Sequence, residues 1–280
     1  MLYIKNIQLM KIDKKIITID GFDYAVRIWG TGEVLFALHG FSESSNTWRN
    51  LHLAVYKIVA IDLLGHGSSA KPKELAPYKL DAILKNLHLL FAQFTDGNSF
   101  SLLGYSMGGR LALRYCLAYP SAPVKYLILE STGPGLLSSE DRKKRRLADE
   151  ELGQKILLNG AAWFADFWAN ISLFESQKKL SVKIQQEIWE SRASNSPLAL
   201  AQTLNGTGQG QLSYIGDKIS LIKSNILYLS GDLDEKYSKI AKEIFAPNPN
   251  VTWISVAASG HNIHLENLVT YQKILEEFLP

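Results

Sequence analysis

Cysteine occurs once, at Cys116, in 280 residues. No intrachain disulfide can form, so the core must hold the fold, and a reducing compartment is expected. A surplus of either charge is also missing: 30 Lys and Arg stand against 27 Asp and Glu, a net +3. That excess is too small and too dispersed for a nucleic-acid-binding surface, so no nucleic-acid partner is expected. No run approaches the ~18 apolar residues of a membrane span, so no membrane insertion is expected. Met1–Lys15 carries scattered charges and no continuous apolar stretch, unlike a secretory signal. The expected location is cytoplasmic. Cys/His clusters with metal-ligand spacing and Gly-rich phosphate loops are absent too, which implies no metal and no organic cofactor. No feature assigns an oligomeric partner. What is present is 46% apolar and 20% charged, the balance of a globular chain.

Short apolar runs alternate with helical patterns. Lys15–Asp20 and Tyr24–Trp29 flank the turn Asp20-Gly21 and read as a hairpin. Val34–Leu38, Lys57–Leu63, Ser99–Tyr105, Val124–Glu130, Asn225–Ser230 and Asn250–Val256 read as further strands. Helical patterns fall at Trp48–Val55, Leu80–Phe94, Met107–Ala118, Glu235–Phe245 and Leu265–Leu279. This alternation predicts an α/β fold with a mainly parallel eight-stranded sheet and helices on both faces. Right-handed crossovers gather the strand C-termini on one edge, where open α/β sheets place their sites. From Gly133 to Ser220 the pattern turns wholly helical. The expected division is a core of residues 1–132 and 221–280, with 133–220 inserted as a helical cap.

Gly104-Tyr105-Ser106-Met107-Gly108 matches G-x-S-x-G between an apolar strand and a helix. In that context the serine sits on a tight strand-to-helix turn, and the glycines remove side chains that would clash. A serine hydroxyl needs a base and donors for developing negative charge. His39-Gly40-Phe41 follows a strand, so the backbone N–H groups of Phe41 and Met107 are the expected oxyanion-hole pair. His39 itself is expected to orient that loop. Chain order in the α/β-hydrolase fold is serine, acid, histidine. His261, in Ser259-Gly260-His261, is the expected base, with His264 as rival. His52 and His88 are read as structural residues in helices, and His66 as part of a turn. Asp234, in Gly231-Asp232-Leu233-Asp234, is the expected acid. Asp232 is expected to shape the turn, and Glu130 is the alternative acid. Cys116 is expected to be a packed core thiol.

Narrower features follow. Arg110 lies four residues after Ser106, one helical turn away, so both can face one pocket. A guanidinium there suits a carboxylate substrate through its planar fork. Arg145-Arg146-Leu147-Ala148-Asp149, Ala165-Asp166-Phe167-Trp168, Glu190-Ser191-Arg192 and Gly231-Asp232-Leu233-Asp234-Glu235-Lys236 complete a series. From about Val34 onward this series resembles the 2-succinyl-6-hydroxy-2,4-cyclohexadiene-1-carboxylate synthases, the pyruvate-eliminating lyases of menaquinone biosynthesis. Gly206-Thr207-Gly208-Gln209-Gly210 departs from that family's Gly-Thr-Gly, and Leu212–Ile215 lacks a tryptophan often found there. The resemblance implies a small polycarboxylate substrate met by Arg110, Arg145 and Arg192, with Arg146 as the alternative to Arg145. It also implies that Tyr105 and Trp168 line the pocket, and that Ser106 acts as a base for proton abstraction. A serine hydrolase for a small acidic substrate is the other reading of the same residues.

Overall fold

The structure, a computed structural model, describes residues 11–280, so residues 1–10 of the stretch read for a signal lie outside the described residues. Each apolar run forms a strand: β1 Asp13–Ile19, β2 Phe22–Gly30, β3 Glu33–Leu38, β4 Tyr56–Ile61, β5 Phe100–Tyr105, β6 Val124–Glu130, β7 Asn225–Gly231 and β8 Val251–Val256. They make one sheet in the order β1-β2-β4-β3-β5-β6-β7-β8. β1–β2 and β2–β4 pair antiparallel; every other pair is parallel.

The run Leu35-Phe36-Ala37-Leu38 shows why the central strands read as unbroken apolar segments. Phe36 and Leu38 join the core on one face with Leu87, Phe91 and Leu113, while Leu35 and Ala37 join Trp48, Tyr271 and Leu275 on the other. Both faces are covered, so alternation with polar residues disappears. Helices α1 (Leu80–Thr95) and α2 (Met107–Ala118) cover the first face. There Phe36 stacks on Phe91 at 4.2 Å and meets Phe100 edge-on at 5.2 Å. Cys116 is buried in that layer, and burial pushes its thiol up to about 12.

Trp48–Val55 does not form the helix its composition predicts. Only a 3-10 turn, Ser45–Trp48, is present. Trp48, Leu51 and Leu53 are all buried, at a spacing that no single helix face provides. Trp29 Nε1 donates to Leu51 O at 2.7 Å and pins the segment as a loop. His52 is therefore a loop residue, whereas His88 lies in α1 against the Tyr115 hydroxyl at 3.1 Å.

Between β6 and β7 the chain is helical, with no strand among the described residues: α3 Ser139–Ala169, α4 Val182–Ala193, α5 Pro197–Thr207 and several 3-10 turns. Gly160, at φ 85° and ψ 173°, breaks α3 into two parts. α3 and α5 enclose a small core of Ile156, Phe164, Leu200 and Leu204, against which Phe41 and Trp168 pack. Arg114 of α2 holds the two ends of this segment, donating to Pro134 O at 3.3 Å and Ser213 O at 2.7 Å.

The C-terminal part continues with α6 (Glu235–Ile240) and a π-turn, Ala241–Phe245. The pattern Leu265–Leu279 divides into α7 (Ile263–Glu266) and α8 (Leu268–Phe278). Asn267 separates them, its side chain accepting from Thr270 N at 3.4 Å to cap α8.

Two buried histidines sit under the loops after β3 and β4. His39 Nε2 accepts from Leu63 N at 3.0 Å, so Nδ1 carries the proton and donates to Gly40 O at 2.7 Å. His66 lies 5.1 Å away, ring to ring. Burial lowers both, His66 to about 3 from the usual 6.5. Their neutral forms favour the folded state above 6.5, and that contribution is lost as pH falls toward 3. The urea midpoint should therefore fall as pH drops below 6.5, and His66→Gln should flatten this slope. An unchanged slope in the variant would assign the acid sensitivity to other groups.

Candidate active site

Ser106 joins β5 to α2 at φ 48° and ψ −102°, a left-handed state for a residue with a side chain. Close packing enforces it. A Cβ at Gly104 would lie 2.6 Å from the backbone of Gly108 and Gly109, and one at Gly108 would overlap Leu38 O. Ser106 N donates to Glu130 O at 2.9 Å, Gly108 N to His39 O at 3.1 Å, and Thr132 Oγ1 to Ser106 O at 2.7 Å. The turn is thus fastened to the ends of β3 and β6.

His261 follows β8 and Asp234 follows β7. His261 Nδ1 lies 2.7 Å from Asp234 Oδ2, and Nε2 lies 3.0 Å from Ser106 Oγ. With the Nδ1 proton donated to the carboxylate, Nε2 can accept the serine proton. Asp234 also caps α6, its Oδ1 accepting from Tyr237 N at 3.2 Å, which fixes the carboxylate's orientation. Asp232 instead accepts from Ser259 N at 3.3 Å within the turn. The rival base and the alternative acid are spent on each other: His264 Nδ1 lies 2.8 Å from Glu130 Oε2.

Ser106 opens into a cavity of about 540 Å³ lined by Phe41, Met107, Arg110, Arg145 and Trp168. Among the described residues neither Phe41 N nor Met107 N donates a hydrogen bond, and both residues line this cavity. Arg110 is buried, and its Nε has no partner among the described residues. Burial, with Arg145 nearby, lowers its proton affinity. Arg145 donates to Asp149 Oδ1 at 2.8 Å and to Gln209 Oε1 at 3.3 Å. Arg146 is exposed and lines no part of this cavity, whereas Arg145 lines it.

Two expected lining residues lie elsewhere. Tyr105 precedes Ser106 on β5, and strand alternation sends its ring to the opposite face. It packs 5.4 Å from His261 and 5.1 Å from His264, behind the site. Arg192, 2% exposed, sits 4.6 Å over the Phe174 ring and borders a second cavity shared with Arg49 and Glu187. Phe174 stands between it and His261, ring to ring at 5.8 Å from the imidazole. Among the lining residues that the sequence reading did not assign to the site are Lys236, Tyr237 and Gln209. Lys236 was legible as the basic residue two positions after Asp234. Gln209 stood inside the Gly-Gln-Gly that departs from the family pattern. Among the described residues no group of three or more His, Cys, Asp or Glu could hold a metal ion, and no helix is long and apolar enough to cross a membrane.

Comparison with known proteins places this geometry in context. Residues 33–268 match the family model described as alpha/beta hydrolase fold. A Bacillus subtilis (strain 168) protein provisionally named 2-succinyl-6-hydroxy-2,4-cyclohexadiene-1-carboxylate synthase is 35% identical over 93% of this chain and 96% of its own. The Salmonella typhimurium synthase of that name is 28% identical over 85% of this chain and 90% of its own. The solved structure of MenH from S. aureus superposes with a TM-score of 0.85 at 34% identity, covering 91% of this chain and 97% of that one. A thermophilic esterase from Thermogutta terrifontis superposes at 0.81 with 20% identity, over 95% of this chain and 98% of that one, and shares the fold alone. The chain belongs to the enzymes of the α/β-hydrolase fold family and, within it, to the 2-succinyl-6-hydroxy-2,4-cyclohexadiene-1-carboxylate synthases.

Proposed function

We propose that this enzyme eliminates pyruvate from 2-succinyl-5-enolpyruvyl-6-hydroxy-3-cyclohexene-1-carboxylate to give 2-succinyl-6-hydroxy-2,4-cyclohexadiene-1-carboxylate, a step of menaquinone biosynthesis. The single observation that carries the reading is Arg110: a buried guanidinium one turn from Ser106, with an unpartnered Nε, facing the same cavity. Burying a charge without a partner costs several kcal/mol. A neutral ester would leave that cost unanswered, whereas a polycarboxylate substrate offsets it on binding. Arg145 and Lys236 on the same cavity wall add to the positive field. Residues 133–220 act as the cap that supplies Arg145, Trp168 and Gln209 over the core's Ser106.

In this reading Ser106, His261 and Asp234 are the catalytic residues. The proton beside the succinyl ketone passes to Ser106 Oγ as the Oγ proton moves to His261 Nε2. Asp234 stabilises the imidazolium and does not take the proton. The electrons of the broken C–H bond form an enolate whose oxygen lies against Phe41 N and Met107 N. They then expel the enolpyruvyl oxygen with its C–O electron pair. The departing enolpyruvate takes up a proton at carbon and becomes pyruvate. No acyl-enzyme forms. The arginines hold the carboxylates so that the reacting proton meets Ser106 before chemistry begins. The setting we infer is the cytoplasm, which the single buried thiol suits.

Pyruvate release from the enolpyruvyl substrate, followed with lactate dehydrogenase, is the direct test. Rapid turnover is expected, and robust hydrolysis of activated esters without pyruvate release would overturn the lyase reading in favour of a serine hydrolase. Ser106→Ala should lower kcat by about 10³-fold or more while the melting temperature holds. Arg110→Ala should raise KM by about ten- to a hundredfold, the equivalent of one charge-assisted contact. If its KM is unchanged, Arg110 does not meet substrate.

A further inference from the structure

Glu130 is the last residue of β6, the strand beside β5, which leads into Ser106. Its backbone oxygen accepts from Ser106 N at 2.9 Å. Its side chain, fully buried, accepts from His264 N at 3.1 Å and from His264 Nδ1 at 2.8 Å. His264 lies three residues after His261, on the short helix that closes the His261 loop. One residue therefore grips the serine turn with its backbone and the histidine loop with its carboxylate. His264 extends the link. Its Nε2 meets Thr47 Oγ1 at 2.7 Å, and its ring stacks on Trp48 at 4.1 Å. Thr47 and Trp48 lie in the turn that follows Phe41. The chain of contacts Glu130–His264–Thr47 thus joins the serine turn, the histidine loop and the segment after the oxyanion-hole strand.

We propose that Glu130 and His264 are positioning residues, a second histidine–carboxylate pair that fixes the separation of Ser106 and His261. Two neighbouring carboxylates complete the grip without reaching Ser106. Glu266 accepts from Gly260 N at 2.7 Å and from Asn262 N at 3.3 Å, and Glu43 accepts from Asn262 Nδ2 at 2.8 Å. They clamp the loop to itself and to the Phe41 side. Of these three glutamates, Glu130 is the one whose backbone also bonds the residue that bears the reacting oxygen. The Tyr105 ring lies between the two imidazoles, so a shift of His264 is transmitted to His261 through a rigid spacer as well as along the chain. Proton transfer depends steeply on such separations: a misplacement of about 1 Å can cost ~10²-fold in rate.

The chemistry of the pair also supplies its control. In Glu130→Gln the amide keeps the shape and can still accept from His264 N. Its NH2 group would then face Nδ1, and His264 can answer by moving its proton to Nε2 and donating it to Thr47, whose hydroxyl accepts as well as donates. Glu130→Ala offers no such refit. The proposal does not depend on which substrate the cavity takes, because its spectroscopic arm needs none. In water, proton NMR of the wild-type enzyme should show two far-downfield ring N–H signals, from His261–Asp234 and His264–Glu130. Glu130→Ala should lose the His264 signal and displace or broaden that of His261. Its kcat for pyruvate release should fall about ten- to a hundredfold with KM changed less than threefold, and Glu130→Gln should recover most of the loss. If Glu130→Ala does not fold, His264→Gln carries the same two readouts with the same expected split. A variant that loses melting temperature alone, with the His261 signal unmoved and kcat within twofold of wild type, would reduce the pair to a brace and overturn the proposal. Failure of the wild type to release pyruvate would instead overturn the lyase reading and leave the NMR comparison to decide the pair.

Discussion

Ser106 sits at φ 48° and ψ −102°, a backbone state that costs a residue with a side chain on the order of 1–3 kcal/mol. Everything that makes the site depends on holding it there. The strain is affordable because the neighbours leave no alternative: Gly104 and Gly108 pack against backbone, Thr132 and Glu130 take the serine's own carbonyl and N–H, and β5 behind them is buried throughout. The gain is geometric. The turn lifts Oγ clear of the sheet, points it at His261 Nε2, and places Met107 N at the open end of α2. Partial positive charge at that helix end favours an oxygen that is becoming negative.

Two histidine–carboxylate pairs lie side by side beneath the cavity, and their partners divide the work. His261 has one nitrogen on Asp234 and the other on Ser106, so its second nitrogen faces a group that can exchange a proton. His264 has both nitrogens committed, to Glu130 and Thr47, and its ring is covered by Trp48. In the proposed roles the same two residue types thus serve motion in one case and rigidity in the other. The difference lies in what the second nitrogen meets. In spacing along the chain the two histidines are equivalent: both follow β8 within a few residues.

This equivalence explains what could be read from the sequence. The central strands were legible because two covered faces force continuous apolar runs, and α2 was legible because it begins where the glycine-flanked serine turns. The pairing Ser106–His261–Asp234 was legible from chain order. Trp48–Val55 was not, since its apolar residues serve a loop that is fixed by a hydrogen bond from Trp29, far off in sequence. The directions of Tyr105 and Arg192 were also hidden. The family resemblance marks both as pocket residues, but strand alternation turns Tyr105 behind the site and Phe174 screens Arg192. Arg145 and Arg146 differ by about 100° around one helix, and only the packing of α3 on α5 says which faces inward.

The cavity's charge follows from the same packing. Arg110 and Arg114 lie one turn apart on a helix buried against the sheet, and each keeps an Nε without a partner among the described residues. Burial lowers the proton affinity of both, and for Arg114 the neighbouring Arg110 lowers it further. Such an arrangement opposes folding, because desolvated like charges repel and the acidic neighbour that supports Arg110, Asp149, already accepts from Arg145. Its retention is intelligible if the missing counter-charge arrives with the substrate. A trianionic ligand would then be attracted by a field already built and already costly. Binding would relax the repulsion between the arginines at the moment that it aligns the reacting carbon over Ser106. On the proposed reading specificity and orientation are one effect: the serine turn sets where the proton leaves, and Arg110, one turn further along the same helix and facing the cavity, would select a molecule that brings a counter-charge, while Arg114 behind it stays with the backbone carbonyls of Pro134 and Ser213.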